Sequence, residues 1–346
     1  MAESWFSLNR TDQADGLEYV SAQIGRPPHL LEKDVWLVWT LSVIYQSSIA
    51  SQLTFKGGTS LSKAFGIIDR FSEDIDLTYD IRALVPDLLR ENHPIPDTSS
   101  QERKISKAVR QRLPEWIEAT IKPMLEQALK RDQLEASLVQ DHDKLLLAYP
   151  AVKTGIGYSA PVIKLEFGAR ATGEPHVVRS VACDMTPVLK DILFPTASPL
   201  VMDVERTFWE KATAAHVYCL QGRLRGDRYA RHWYDLAEIS KTAYFETACQ
   251  DHALATAVAE HKSVFFAEKD SAGEWIDYPA AVNGQLQLIP VGESFVALGQ
   301  DYQAMLQDGL LSVDAPSFTE IMERCRMIQD TVNQSQVGGV TPSDTV

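Results

Sequence analysis

A glycine turn and a pair of acids lie close together in this chain. The string Phe55-Lys56-Gly57-Gly58-Thr59-Ser60-Leu61-Ser62 is followed by Arg70-Phe71-Ser72-Glu73-Asp74-Ile75-Asp76-Leu77. Alternate side chains of a strand share a face. Asp74 and Asp76 therefore point to one side, while Ile75 and Leu77 point into a core. Two carboxylates one pleat apart can hold a divalent cation, and a glycine turn beside them can hold the phosphates that such a cation bridges. A short strand is expected over 52–56. Gly57 and Gly58 permit backbone angles and close approaches that a Cβ blocks. Thr59 or Ser60 can cap a helix to about Phe65, whose first N–H groups favour an anion. Neither G-x-x-x-x-G-K-[ST] nor G-x-G-x-x-G occurs, which excludes a P-loop and a dinucleotide fingerprint. Each half of the pattern alone is weak. Joined by one short helix, they point to nucleotide handling.

Composition narrows the class. The 346 residues are enough for two or three compact units, and 45% hydrophobic with 23% charged residues is the balance of a soluble globular protein. The start Met1-Ala2-Glu3-Ser4 lacks a basic and an apolar region, so no signal peptide is read there. The longest apolar stretch, Val35 to Tyr45, is short of the ~20 residues of a membrane span and reads as a buried helix. Cys183, Cys219, Cys249 and Cys325 form no C-x-x-C pair, which fits a reducing cytoplasm without a zinc site or disulfide frame. The net charge of −14 disfavours general nucleic-acid binding. Two local basic clusters stand against it: Arg103, Lys104, Lys107, Arg110 and Arg112, then Arg223, Arg225, Arg228 and Arg231. The first reads slightly better as a solvated helix surface; the second is as well placed to line a substrate path as to be a basic loop.

Along the chain, helices are expected at 13–25 and 29–47, separated at Pro27-Pro28. Strand 52–56, helix 59–66 and strand 74–81 follow. A polar loop occupies 92–100, and a long helical stretch covers 101–137, divided at Pro114 and Pro123. Strands at 145–152, 162–168 and 177–185 suggest an antiparallel meander. After Pro199 the texture is helical, with helices at 203–220, 229–241, 245–265, 300–310 and 316–332 and irregular chain over 271–295.

The glycine and Asp-x-Asp strings resemble the nucleotidyltransferase superfamily, and in their fuller form its AbiEii/AbiGii toxin branch. Three further strings match that branch in order: Glu32-Lys33-Asp34, Glu210-Lys211-Ala212 and Arg231-His232-Trp233-Tyr234-Asp235-Leu236. The resemblance implies an α+β fold. It has N-terminal helices (1–50) packing on a nucleotidyltransferase-like mixed-sheet core (51–199) with flanking helices. A helical C-terminal domain (200–332) and a disordered tail (333–346) follow, and the nucleotide is expected between core and helical domain. It also implies a cytoplasmic toxin of a type IV toxin–antitoxin pair, acting in abortive infection. Such a toxin, with Mg2+ or Mn2+, moves a nucleoside monophosphate from an NTP to RNA, tRNA above all. A protein acceptor and a non-catalytic NTP-binding regulator are the alternatives. The antitoxin is expected to be encoded nearby and need not bind the toxin directly, and no membrane is expected.

By residue, the expectation is metal at Asp74 and Asp76. Glu166 is the third ligand, on a strand where it alternates with apolar neighbours, and Asp184 is its competitor. Lys56, Gly57, Gly58, Thr59, Ser60, Lys63 and Lys211 are the nucleotide-binding candidates. Lys211 and Asp235 join Asp74, Asp76 and Glu166 as catalytic candidates. Asp235 either accepts a proton from a hydroxyl or orients a base, or it forms a structural i, i+4 bridge with Arg231. His232 departs from the family's more frequent Asp and receives no catalytic role.

Overall fold

The computed structural model describes residues 2–90, 94–153, 160–222, 228–312 and 314–337. Arg223, Arg225, the start of the polar 92–100 loop and the tail beyond 337 lie outside the described residues. The chain divides into two compact units. The first is 1–66, 71–94 and 103–202, and the second is 67–70, 95–102 and 203–346.

The first unit is built on a seven-stranded mixed sheet. Its strands are β1 (Leu53–Lys56), β2 (Asp74–Tyr79), β3 (Ser137–Asp141), β4 (Lys144–Ala148), β5 (Val162–Gly168), β6 (His176–Val178) and β7 (Leu200–Met202). Their spatial order is β3-β4-β5-β2-β1-β7-β6. β2 is central and runs parallel to β5 and antiparallel to β1. The expected meander is therefore half right. β4 and β5 do pair antiparallel. β5 then joins β2 in parallel, and β6 crosses to the far edge beside β7. The expected strand at 177–185 is split: β6 ends at Val178, and Val181–Ala182 pairs separately with Thr196–Ala197.

Helix α1 (Arg10–Ile24) is capped by Asn9, whose side chain accepts the Thr11 and Asp12 amides, and it ends at Gly25 with φ 72°. Helix α2 (Pro28–Tyr45) starts on Pro28, where a missing N–H does no harm. Every residue from Leu30 to Ile44 is buried, so the apolar stretch is an interior helix. Helix α3 (Gly57–Lys63) links β1 to the loop before β2. Pro114 sits inside a helix over Ser99–Trp116, and the turn that follows is a π-helix over Ile117–Ile121. Ile75 and Leu77 are fully buried, as the alternation predicts. On that same face Trp116 stacks on Tyr79, with ring centroids 3.9 Å apart, and meets Phe167 edge-on.

The second unit is helical: α4 (Val204–Gln221), α5 (Ala230–Ile239), α6 (Ala243–Gln250), α7 (His252–Phe265), α8 (Glu293–Gln307) and α9 (Phe318–Val337), with one short helix at Tyr278–Val282. The expected 245–265 helix is interrupted at Asp251, whose side chain caps the second piece. The expected tail does not begin at Asn333. Helix α9 runs through it, and the Asn333 side chain bonds both the N–H and the carbonyl of Leu286.

Candidate active site

In a sheet, residues paired across neighbouring strands show their side chains on one face. The register pairs Asp74 with Lys164, Asp76 with Glu166, Lys56 with Asp76, and Lys144 with Glu166. One face of the sheet therefore carries three carboxylates, each with a lysine directly opposite it.

The glycine turn makes room for this face. Gly57 has φ +81°, and a Cβ on it would fall 2.1 Å from Asp76 Oδ2. The Asp76 carboxylate thus lies against bare backbone at the start of α3, where no side chain caps the helix. The two hydroxyls of the turn face inward. Thr59 donates to the Asp74 carbonyl and lies 2.9 Å from the Ser72 hydroxyl, while Ser60 donates to the Gly57 carbonyl at 2.9 Å. The Thr59 contacts fasten α3 to the head of β2.

The Lys164 ammonium lies 2.9 Å from Asp74 Oδ2 and 3.0 Å from Glu166 Oε1, and Lys144 meets the same Glu166 oxygen at 3.1 Å. Burial alone would raise the Glu166 pKa, but Lys164 and Lys144 overcome it and hold the carboxyl below its usual range. Lys164 is pushed up by Asp74 and Glu166 against its own burial. Among the described residues, no three His, Cys, Asp or Glu side chains form a metal cage by themselves. The chemistry of Asp74 and Asp76 nevertheless fits a hard divalent ion: two carboxylates on one face, with a cation already drawn to Asp74.

The competitor Asp184 is engaged elsewhere. Lys63, expected at the phosphates, sits between Asp34 and Asp184 at 2.6 Å from each, and Arg26 also pairs with Asp184. The two acids raise the Lys63 pKa against a desolvation that would lower it. The Glu32-Lys33-Asp34 string of α2 has three separate attachments. Glu32 accepts the amides of Val152 and Lys153 at 2.8 and 3.0 Å. Lys33 reaches Glu73 at 2.6 Å and the Ala160 carbonyl at 3.1 Å. Asp34 accepts the Asp184 amide at 2.7 Å. The sequence assigned no role to Lys33, Glu73 or Lys164. For Lys33 the signal was available, since it sits in a recognised string.

The second unit holds its own buried charge cluster. Arg70 donates twice to Asp235, at 2.6 and 2.8 Å, and Lys211 meets the same carboxylate at 2.8 Å. The Asp235 side chain is fully enclosed. Burial would favour its protonated form, yet Arg70 and Lys211 hold it far below the ordinary carboxylate range. Burial, with Arg70 and Arg231 nearby, lowers the Lys211 pKa. Of the two readings for Asp235, the i, i+4 bridge to Arg231 does not form. Arg231 is exposed, and the partner is Arg70, remote in sequence. His232 has an enclosed Nδ1 without a hydrogen-bond partner, and burial depresses its pKa.

A mixed sheet whose central strand carries acids at i and i+2 beside a glycine turn is the framework of a nucleotidyltransferase. A family model described as nucleotidyl transferase AbiEii toxin, type IV toxin–antitoxin system, matches residues 39–324, and the chain belongs to that family. Among solved structures the chain is similar to MenT4, a nucleotidyltransferase toxin from Mycobacterium tuberculosis H37Rv, at 16% identity and TM-score 0.48 over 96% of this chain and 93% of that one. A search of curated proteins finds no match. Among the described residues, no helix is long and apolar enough to cross a membrane.

Proposed function

We propose that this toxin transfers a nucleoside monophosphate from an NTP to RNA, with tRNA the first acceptor, in the cytoplasm. The observation that carries the reading is the seating of Asp76 against the bare Gly57 backbone, with Asp74 beside it on the same face. Nucleotidyl transfer asks a protein mainly to align the attacking oxygen with the α-phosphorus and to neutralise growing charge. Asp74 and Asp76 would hold Mg2+ or Mn2+, which when bound would supply that neutralisation at the α-phosphate and the departing pyrophosphate. The chain's own residues do the rest. The Gly57-Gly58 turn keeps Asp76 in place, Thr59 fixes the Asp74 backbone, and Lys56 adds positive charge to the same face. In the second unit Asp235 stays ionised and holds Lys211 and Arg70 in fixed positions. We assign Asp235 to fixing Lys211 and Arg70 in place rather than to accepting a proton.

The test is toxicity and chemistry together. Induced expression of the wild-type chain arrests growth, and Asp74→Ala and Asp76→Ala relieve the arrest and abolish pyrophosphate release. Variants that stay toxic and active defeat the proposal. A type IV toxin–antitoxin family implies an antitoxin, and co-expression of an antitoxin encoded beside the toxin should relieve the arrest.

A further inference from the structure

Each acid of the carboxylate face has a lysine in register. Lys56, Lys164 and Lys144 stand in register with Asp76, Asp74 and Glu166. Lys164 bridges two of the acids, and one of them is the expected metal ligand Asp74. Its side chain is about one-third exposed, and so is Glu166, so the ammonium is reachable rather than sealed in a core. Bringing a divalent ion to Asp74 places two cations on one carboxylate, and like charges at that range repel strongly where water is partly excluded. The ion and Lys164 cannot both keep Asp74 at full strength. Glu166 offers Lys164 a second anchor on the same strand, and Lys144 steadies Glu166.

We propose that Lys164 is the resident counter-cation of the site: it holds Asp74 in the metal-free chain, yields it to the divalent ion, and then presents its ammonium to the triphosphate from its anchor on Glu166. This rests on the proposed nucleotidyl transfer at Asp74 and Asp76. It gives Glu166 the part of lysine anchor in place of the third metal ligand expected from sequence.

The decisive variant is Lys164→Met, which keeps the length and removes the charge. Mn2+ binding is read from the electron paramagnetic resonance of free ion, without NTP, on protein shown to be folded by circular dichroism. Lys164→Met binds Mn2+ about tenfold more tightly than wild type, because a competing cation is gone. In the same variant KM for the NTP rises about tenfold, and Lys164→Arg restores both values towards wild type. A merely structural lysine would not move the two in opposite directions. Unchanged or weaker Mn2+ binding in folded Lys164→Met overturns the inference. The wild-type chain supplies a second readout that needs no variant: labelling of Lys164 by an amine-reactive reagent, followed by mass spectrometry, rises on adding Mg2+. Labelling that Mg2+ leaves unchanged overturns the inference as well. If Asp74→Asn abolishes Mn2+ binding while Lys164→Met leaves it as in wild type, the inference falls and the proposed function stands. If the wild-type chain binds no Mn2+, both fall.

Discussion

At the scale of single residues, the site depends on an atom that is missing. Gly57 sits at φ +81°, and Asp76 occupies the space where a Cβ would be. Gly57→Ala therefore meets backbone strain of about 1–3 kcal/mol and also pushes the Asp76 carboxylate aside. Displacing a reacting group by ~1 Å can reduce rate by about 100-fold. Transfer by Gly57→Ala should fall by that order while urea denaturation shows a folded chain; near-normal transfer would mean that Asp76 need not sit there. Asp235→Asn behaves differently. It leaves Arg70 and Lys211 enclosed with one carboxylate fewer, so it should lower unfolding free energy by about 3–5 kcal/mol, measured by denaturant titration. The placement of Asp74, Asp76 and Gly57 beside one another was legible in sequence because its message is local: a turn, then strand alternation. The partner of Lys164 was not, because it follows from cross-strand register with Asp74. Nor was the Arg70–Asp235 pair, whose members are remote in the chain.

At the scale of elements, α2 is a buried rod with three fastenings on consecutive residues. Glu32 ties the chain after β4, Lys33 ties Glu73 at the head of β2, and Asp34 ties Lys63 at the end of α3. The helix thereby fixes both halves of the glycine–acid pattern. Lys33→Met should destabilise the fold by about 3 kcal/mol, since it leaves Glu73 largely buried without its ammonium. Lys33→Met/Glu73→Met should recover most of that loss in a double-mutant cycle, because a neutral apolar pair needs no partner. Strictly additive losses would show that the two do not work as a pair. The helices themselves were readable from apolar periodicity and from Pro and Gly punctuation, as α2 between Pro27-Pro28 and Tyr45 shows. The sheet was read less well. β3 fell almost entirely on chain left unassigned between the 101–137 helical stretch and the 145–152 strand, β7 was missed at three residues, and the β5–β2 pairing joins strands that a linear reading keeps apart.

At the scale of the whole molecule, pH tests the packing of the second unit. His216 Nδ1 accepts the Gln287 amide at 3.0 Å, which requires a neutral ring. Burial lowers its pKa to about 4. The folded state thus binds fewer protons than the unfolded state between about pH 6.5 and 4. Its stabilising contribution is complete above about pH 6.5 and is lost as pH falls towards 4, amounting to about 3 kcal/mol. Unfolding free energy measured across this range should decline with acid, and His216→Gln should flatten that decline. An unchanged slope in the variant would place the titration elsewhere.

Nucleotidyl transfer at Asp74 and Asp76 can be tested on the whole chain. The measurement that tests it most directly is incubation of the chain with each α-labelled NTP, Mg2+, total tRNA and cell extract, resolved on RNA and protein gels beside Asp74→Ala. Label should enter tRNA from one preferred NTP and be absent with Asp74→Ala. Label in protein would keep the chemistry and change the acceptor. No label in either, from any NTP, would rule out nucleotidyl transfer by this chain.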